Sequence, residues 1–192
     1  MFGYGLLGLV IAIGAYLVWA HNALVKNKNL VEEGWSGIDV QLRRRADLIP
    51  NLIETVKGYA KQEQSVLVEV TEARAKATSV QVSATDLTDP NKVAQFQQAQ
   101  GALSQGLGRL LASVEAYPDL KSNQNFLALQ EELTSTESRV AYARQFYNDS
   151  VLGYHNQLDT FPTILIAKLG TFAHREFFEA EDAAKVPPTV KF

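Results

Sequence analysis

Apolar residues recur every three or four positions through Trp35–Val56, the most regular stretch of the chain. This spacing places them on one side of a helix, because an α-helix turns once in about 3.6 residues. The same phase continues on both sides and predicts one helix from about 21 to 78, with a kink near 46–50 because Pro50 lacks a backbone donor. The members of this apolar stripe are Trp35, Ile38, Leu42, Ala46, Ile49, Ile53 and Val56.

Three further helices follow from the same periodicity. Asp89 and Pro90 supply an N-cap and a first-turn proline for a second helix, which ends near Pro118. A third helix is predicted from about 122 to 161, and a short fourth from about 164 to 172. At about 1.5 Å per residue the third helix would extend roughly 60 Å, so it must lie along the first.

Together these elements predict an all-α fold. Residues 21–172 are expected to form an antiparallel up-and-down bundle of three long helices plus a short fourth, joined by short loops. Residues 173–192 turn acidic and then proline-bearing, which is typical of a tail. Phe177 and Phe178 in this tail are expected to dock on the bundle, and docking on a partner is the alternative.

Residues 1–20 have a different pattern. Phe2 to Ala20 carries no charge, and as a helix it would span roughly 28 Å, close to a bilayer core of about 30 Å. A cleaved signal peptide is the competing interpretation. However, no lysine or arginine precedes the apolar run, and Val18-Trp19-Ala20 is a poor cleavage pattern. We therefore expect a retained transmembrane anchor whose partner is the lipid bilayer.

Small residues mark candidate helix-packing positions. Gly8 and Ala12 could let two anchors approach closely in an oligomer, but the favoured explanation is that small residues are merely tolerated in lipid. Gly101, Gly106 and Gly108 lie inside the second helix, where each costs about 1 kcal/mol relative to alanine. Close packing of helices is the favoured explanation for these three glycines, and a hinge is the alternative.

Composition argues against several functional classes. The chain has no cysteine, which excludes a thiolate metal site, a thiol nucleophile and a disulfide. Its net charge of -3, without a clustered excess of basic over acidic residues, argues against nucleic-acid binding. Val18, Leu152 and Thr171 stand three residues before the histidines, so the Glu-x-x-His pairs of a di-iron bundle are missing. The sequence also lacks a glycine-rich phosphate loop and a nucleophile elbow. We therefore expect a protein that is not an enzyme and that binds no cofactor, metal or small-molecule substrate.

Arg43, Arg44 and Arg45 form the sharpest polar motif, since guanidinium groups suit recognition of phosphate or carboxylate. Local pairing is the favoured explanation, because Asp39 and Asp47 are each four residues from Arg43. Docking of a partner is the alternative, and these arginines are the candidate partner-binding residues. Lipid headgroups are disfavoured, because a straight helix would place Arg43 about 33 Å beyond the anchor, whereas screening is strong beyond roughly 8–10 Å.

Amides and phenols also lie on or beside the apolar stripes. If buried, they must be hydrogen-bonded, and such bonds can fix the register between long helices. This structural role is favoured over a ligand pocket, because no perturbed acid or base accompanies them. The residues concerned are Asn51, Tyr147, Asn148, Tyr154 and Asn156.

Four segments of the chain carry a family resemblance: NALVKNKNLVEEG, then WSGIDVQLRRRADLIPNLIETVKGYAKQE at 35–63, EAYPDLKSNQNFLALQEELTSTESRVAYARQFYNDSV at 115–151 and LDTFPTILIAKLGTFAHREFFE at 158–179. Through these segments most of the chain resembles the LemA family, although residues 79–114 match only loosely. The resemblance implies an all-α, membrane-anchored protein with an up-and-down bundle, in a bacterial family without an established biochemical role. It offers no catalytic residues to carry over, and certain members are similar to proteins implicated in shaping membranes.

Two indications disagree about the side of the membrane that carries the bundle. Lys26 and Lys28 follow the apolar run, which favours the cytoplasm. Some LemA-like proteins instead replace the anchor with a lipoprotein cysteine just before the position of Asn22, which implies the opposite side. We therefore expect a single-pass protein of the bacterial plasma (inner) membrane and leave the side open.

Two hypotheses about function follow from these observations. The first is a non-enzymatic, membrane-anchored scaffold that forms a homo-oligomer and organises or shapes the membrane. The second is an adaptor or sensor that presents a helical surface to a membrane protease or signalling protein.

Overall fold

A computed structural model describes residues 2–59 and 63–178. These residues contain no strand, so the all-α prediction is confirmed for them, and the end of the expected tail at 179–192 lies outside them. The helices are α1 (Phe2–Lys57), α2 (Gln64–Ser79), α3 (Pro90–Val114), α4 (Pro118–Lys121), α5 (Gln124–Asp159) and α6 (Thr163–Leu169), with a 3₁₀ turn at Asp86–Thr88.

Helix α1 joins the expected anchor to the folded domain without interruption. It has 56 residues, which corresponds to about 84 Å. By length and composition it could cross a membrane, and the side chains of its first turns from Gly3 onward are exposed. Burial begins at Ala20 and Leu24, whose side chains are fully covered. The apolar run and the central helix of the folded domain are therefore parts of one continuous helix.

The single helix predicted from 21 to 78 is wrong. Helix α1 continues through the exposed Pro50 and ends at Lys57, and α2 starts at Gln64. Buried neighbours hold the helix around Pro50, which forfeits only one backbone hydrogen bond. Gly58 stands where the helix does end, and the amide of Tyr59 bonds to the carbonyl of Val56 at 3.0 Å. The described residues thus contain four longer helices, two of which replace the single helix predicted from 21 to 78.

The long helices pack in antiparallel pairs. Along α1 and α5, Gly34 faces Tyr147 whereas Arg45 reaches Glu137, so residue numbers rise on one helix as they fall on the other. Helices α2 and α3 behave in the same way, because Gly106 faces Val70 and Gln100 bonds to Ala77.

Helix capping explains where α3 and α5 begin. Asp89 caps α3 by accepting a hydrogen bond from the amide of Asn91 at 3.0 Å, and Pro90 occupies the first turn, as predicted. Asn123 caps α5 through the amides of Asn125 and Phe126. The predicted turn before α5 contains the single helical turn α4.

The buried core consists of two clusters that follow each other along the long axis. The proximal cluster is nearer the apolar run and contains Leu24, Val31, Trp35, Ile38, Leu42, Leu87, Val93, Phe96, Val140, Tyr147, Val151, Tyr154, Leu158, Ala167 and Phe178. The distal cluster contains Ile49, Leu52, Ile53, Val56, Leu67, Val70, Ala77, Leu103, Leu107, Leu110, Val114, Leu120, Phe126 and Leu133.

The segment 172–178 is not helical, yet it is packed on the domain. Phe178 is buried in the proximal cluster, so its predicted docking on the helical domain is confirmed. The amide of Glu176 bonds to the carbonyl of Leu87 at 2.8 Å. Packed structure therefore extends beyond residue 172, where the tail was expected to start.

Candidate functional site

The arginine motif is divided among three environments. Arg43 is the most exposed, with 71% of its side chain accessible, and pairs with Asp39 at 2.9 Å. This i,i+4 contact confirms the favoured local pairing for Arg43. Arg43 also lines a shallow cleft of about 210 Å³ between α1, α2 and α3. Its guanidinium group is thus available to solvent and has one carboxylate partner on its own helix.

Arg44 points across the molecule instead of along its own helix. Its guanidinium group contacts the carboxylate of Glu132 on α5, and both side chains are partly accessible to solvent. A half-exposed pair of this kind contributes little to stability, about 0–1 kcal/mol. It links α1 to α5 on the outside of the domain.

Arg45 is buried, with 1% of its surface exposed. One terminal nitrogen, Nη1, donates to Ser104 Oγ and to Glu137 Oε2, both at 3.0 Å. The other, Nη2, donates to Gln100 Oε1 at 2.9 Å. Gln100 in turn donates through Nε2 to the carbonyl of Ala77 at 3.2 Å. This Arg45 network joins α1, α2, α3 and α5 at the boundary between the two core clusters.

The expected partner-binding motif is therefore not one surface. Only Arg43 and Arg44 reach solvent, whereas Arg45 lies on the buried stripe of α1. The sequence carried a signal for this, because Leu42, Arg45 and Ile49 are separated by three and four residues and so share a face. Counting the arginine as a member of that stripe would have predicted its burial.

The candidate glycines differ in what surrounds them. A Cβ at Gly106 would lie 3.5 Å from Val70 Cγ2, which fits close packing of α3 on α2. At Gly8, Gly101 and Gly108 a Cβ would meet no described atom within 4 Å, and Ala12 is exposed on the same apolar run as Gly8.

Among the glycines, Gly34 comes closest to another helix, although it is not one of the candidate packing positions. A Cβ there would stand 3.0 Å from the backbone Cα of Tyr147. Only glycine allows α1 and α5 to come this close without a shift of the backbone.

Polar side chains of α5 hold the segment 172–178. Asn148 bonds through its side chain to both the amide and the carbonyl of Phe178, each at 2.9 Å, and the Tyr147 hydroxyl donates to the carbonyl of Glu176 at 2.7 Å. Burial raises the pKa of Tyr147, which keeps this hydroxyl protonated. The buried amides and phenols were expected to fix the register between long helices. Tyr147 and Asn148 instead bind the C-terminal segment, whereas Asn51 and Asn156 are exposed.

His155 forms a second attachment for the same segment. Its Nε2 accepts a hydrogen bond from the amide of Arg175 at 3.0 Å, so the ring is neutral when this bond is made. Burial lowers the pKa of His155, and the neighbouring His174 lowers it further. The carboxylate of Asp159 acts in the opposite direction and raises the pKa of His155. Its Oδ2 lies 3.1 Å from Nε2 of His174. The residues described by the structure contain no group of three or more histidines and carboxylates that could hold a metal ion.

Comparison with known proteins assigns the chain to a family. The LemA family matches residues 34–192. The chain is 25% identical over 194 residues to magnetosome protein MamQ 2 of Paramagnetospirillum magneticum, and the match covers 93% of this chain and 71% of that protein. The same values describe its similarity to magnetosome protein MamQ of Magnetospirillum gryphiswaldense.

A third relative carries the family name itself. The protein LemA of Metamycoplasma hominis is 24% identical over 185 residues, and the match covers 94% of this chain and 80% of the relative. The family match takes in the Arg45 network, Gly34 and the binding site of the C-terminal segment. The chain therefore belongs to the LemA family.

Proposed function

We propose that this protein is a single-pass scaffold of the bacterial plasma (inner) membrane, whose helical domain is an antiparallel up-and-down bundle that self-associates. The observation that carries the proposal is the unbroken α1, which contains both the apolar run and the central helix of the core. A flexible linker would let a domain move freely, whereas a continuous helix sets its distance from the bilayer. The antiparallel contacts of α1 with α5 and of α2 with α3 support the bundle.

An aromatic pair on α5 is the candidate surface for self-association. Tyr142 and Phe146 are four residues apart, so they lie on the same face of the helix. They are 73% and 47% exposed, respectively, which is unusual for two large aromatic side chains side by side. Aromatic side chains are enriched where proteins meet, because they bury a large area at a small cost in side-chain entropy. A second copy of this chain is the partner we propose for them.

The family relationship is in keeping with a structural role. Two of the relatives described above are named as magnetosome proteins. We extend this role to the present chain as a scaffold that organises or shapes its membrane.

Mass measurement of the full chain in detergent and in native lipid tests self-association. We expect an oligomer for the unaltered chain and a smaller assembly for the double variant Tyr142→Ser/Phe146→Ser. Leu152→Ser is the matched control, because Leu152 is another exposed apolar residue of the same helix, 52% accessible. A strict monomer under both conditions would contradict the proposal, as would equal loss of the oligomer in the control.

An adaptor that docks on a membrane protease or signalling protein is the second candidate. It is favoured by the exposed Arg43 and the cleft beside it. Arg43→Glu should abolish crosslinking to such a partner and leave the oligomer intact. Arg109→Glu is the control, because Arg109 is also an exposed arginine paired with a carboxylate, Glu69, at 2.9 Å. Loss of the oligomer on Arg43→Glu would instead place that side chain in the scaffold interface.

A further inference from the structure

Helix α6 and the turn before it have an outer apolar face. Phe161, Leu165 and Leu169 are 76%, 55% and 90% exposed, respectively. Leu165 and Leu169 are four residues apart and share one side of the helix, whereas Ala167 on another side is buried in the proximal cluster. Helix α6 thus packs on the domain through one surface and presents large apolar side chains outward on another.

This face lies at the level where the apolar run of α1 ends. In the antiparallel register of α1 and α5, the last residue of α5, Asp159, comes level with about residue 22 of α1. The ring of Phe172, just after α6, lies 5.6 Å from the ring of His21. Leu24 of α1 belongs to the same cluster as Ala167 of α6. Helix α6 and Phe172 therefore lie beside the C-terminal end of the apolar run of α1.

We propose that the outer face of α6 is a second membrane contact, in which Phe161, Leu165 and Leu169 enter the lipid interface beside the anchor. The inference rests on the proposed anchoring of α1 in the membrane. It is supported by the continuity of the two apolar surfaces. The exposed Trp19 is near the end of the apolar run of α1, at about the level of the apolar face of α6. Aromatic side chains favour this depth of the bilayer, and the exposed Lys168 can extend its amine towards the headgroups.

The contact defines how the domain stands on the bilayer. A single helix fixes the height of the domain but leaves it free to tilt and rotate about that helix. A second apolar contact to one side of α1 holds the domain in one orientation, with the distal cluster directed away from the lipid. The exposed aromatic pair on α5 is then presented at a set angle, as lateral assembly of copies requires.

The absence of cysteine from the sequence makes the test direct, because one introduced cysteine carries one fluorescent label. We would label Leu165→Cys and Leu169→Cys in the full chain, reconstitute it in vesicles of phosphatidylethanolamine and phosphatidylglycerol, and add spin-labelled lipids as quenchers. Both positions are exposed, so the substitutions should leave the fold intact. We expect blue-shifted emission that the quenching lipids reduce. The control is Val68→Cys on α2, which is 49% exposed and lies next to Leu67 of the distal cluster. A label there should emit as in water.

A label at Val10→Cys separates this inference from the anchoring on which it rests. Quenching at position 10 together with water-like emission at 165 and 169 would overturn the second contact and leave the anchor standing. Unquenched emission at position 10 would overturn both. Blue-shifted emission at 165 and 169 that the lipids do not quench would also overturn the inference, because a second protein surface would then cover α6.

Discussion

The proximal and distal halves of the core differ in the side chains that fill them. The proximal cluster contains an aromatic group, with the ring of Trp35 lying 5.3 Å from Phe96, 5.5 Å from Tyr147 and 6.2 Å from Phe178. The distal cluster is almost entirely aliphatic, and Phe126 is its single fully buried aromatic residue among those described. Arg45 and its partners lie between the two.

The halves also differ in their hydrogen bonds. The Trp35 indole donates to the carbonyl of Val82 at 2.9 Å, and Tyr147 and Asn148 bind the segment 172–178. These directional bonds allow few alternative arrangements, whereas aliphatic packing tolerates exchanges that conserve volume. The half next to the apolar run of α1 is thus the more strictly defined of the two.

Replacing Trp35 should give the largest effect. We expect Trp35→Ala to lower the free energy of unfolding by about 3–5 kcal/mol, because it leaves a cavity among three aromatic rings and an unpaired Val82 carbonyl. Denaturant unfolding of the detergent-solubilised chain measures this. The comparison is sharpened by Trp35→Phe in the proximal half and Leu110→Met in the distal half. Trp35→Phe should lower the free energy of unfolding more than Leu110→Met does. Equal losses in the two variants would contradict the contrast between the halves.

Arg45 at the boundary should give the next largest effect. Arg45→Met removes charge-assisted hydrogen bonds and leaves the side-chain oxygen of Gln100 without its donor, so we expect a loss of about 2–3 kcal/mol in the free energy of unfolding. Adding Gln100→Leu should restore part of this loss, because an apolar pair replaces the unsatisfied amide oxygen. Unfolding free energies of the single and double variants decide the matter. If the double variant is no more stable than Arg45→Met, the network does not act as a unit.

Two glycines test close packing on a smaller scale. Gly34→Ala should cost about 1–3 kcal/mol, because its Cβ would press on the backbone of Tyr147 and force the long helices α1 and α5 apart. Gly101→Ala should instead stabilise the chain by about 0.5–1 kcal/mol, since its Cβ meets no described atom and alanine is the better helix former. Thermal unfolding of both variants reports the signs. A stabilising Gly34→Ala would show that α1 and α5 do not approach so closely.

The sequence predicted the helices well and the polar contacts poorly. Periodicity locates the stripes, and Asp89 marks the start of α3, because these signals are local. The end of α1 was missed, since the apolar phase resumes in α2 as though no turn intervened. The partners of Arg45, Asn148 and Gly34 lie between 30 and more than 100 positions away, and spacing along one helix cannot reveal them.

The attachment of segment 172–178 through His155 should give the smallest effect, one that depends on pH. Because the pKa of His155 is lowered in the folded chain, the unfolded chain binds the proton more readily. Stability from this group is therefore complete above the ordinary value of 6.5 and is lost as the pH falls below it.

The variant His155→Gln separates this proton from the others nearby. The side-chain carbonyl of the introduced glutamine can still accept a hydrogen bond from the amide of Arg175, but it does not titrate. We therefore expect the variant to lose less stability than the unaltered chain on acidification. His174, Asp159 and Glu176 also face this ring and remain in both proteins, so the difference between the two pH profiles isolates His155. Hydrogen exchange at the amide of Arg175 gives a local measure, since protection should fall with pH only when the histidine is present. Parallel profiles would mean that the proximal half keeps its C-terminal segment through Tyr147 and Asn148 alone.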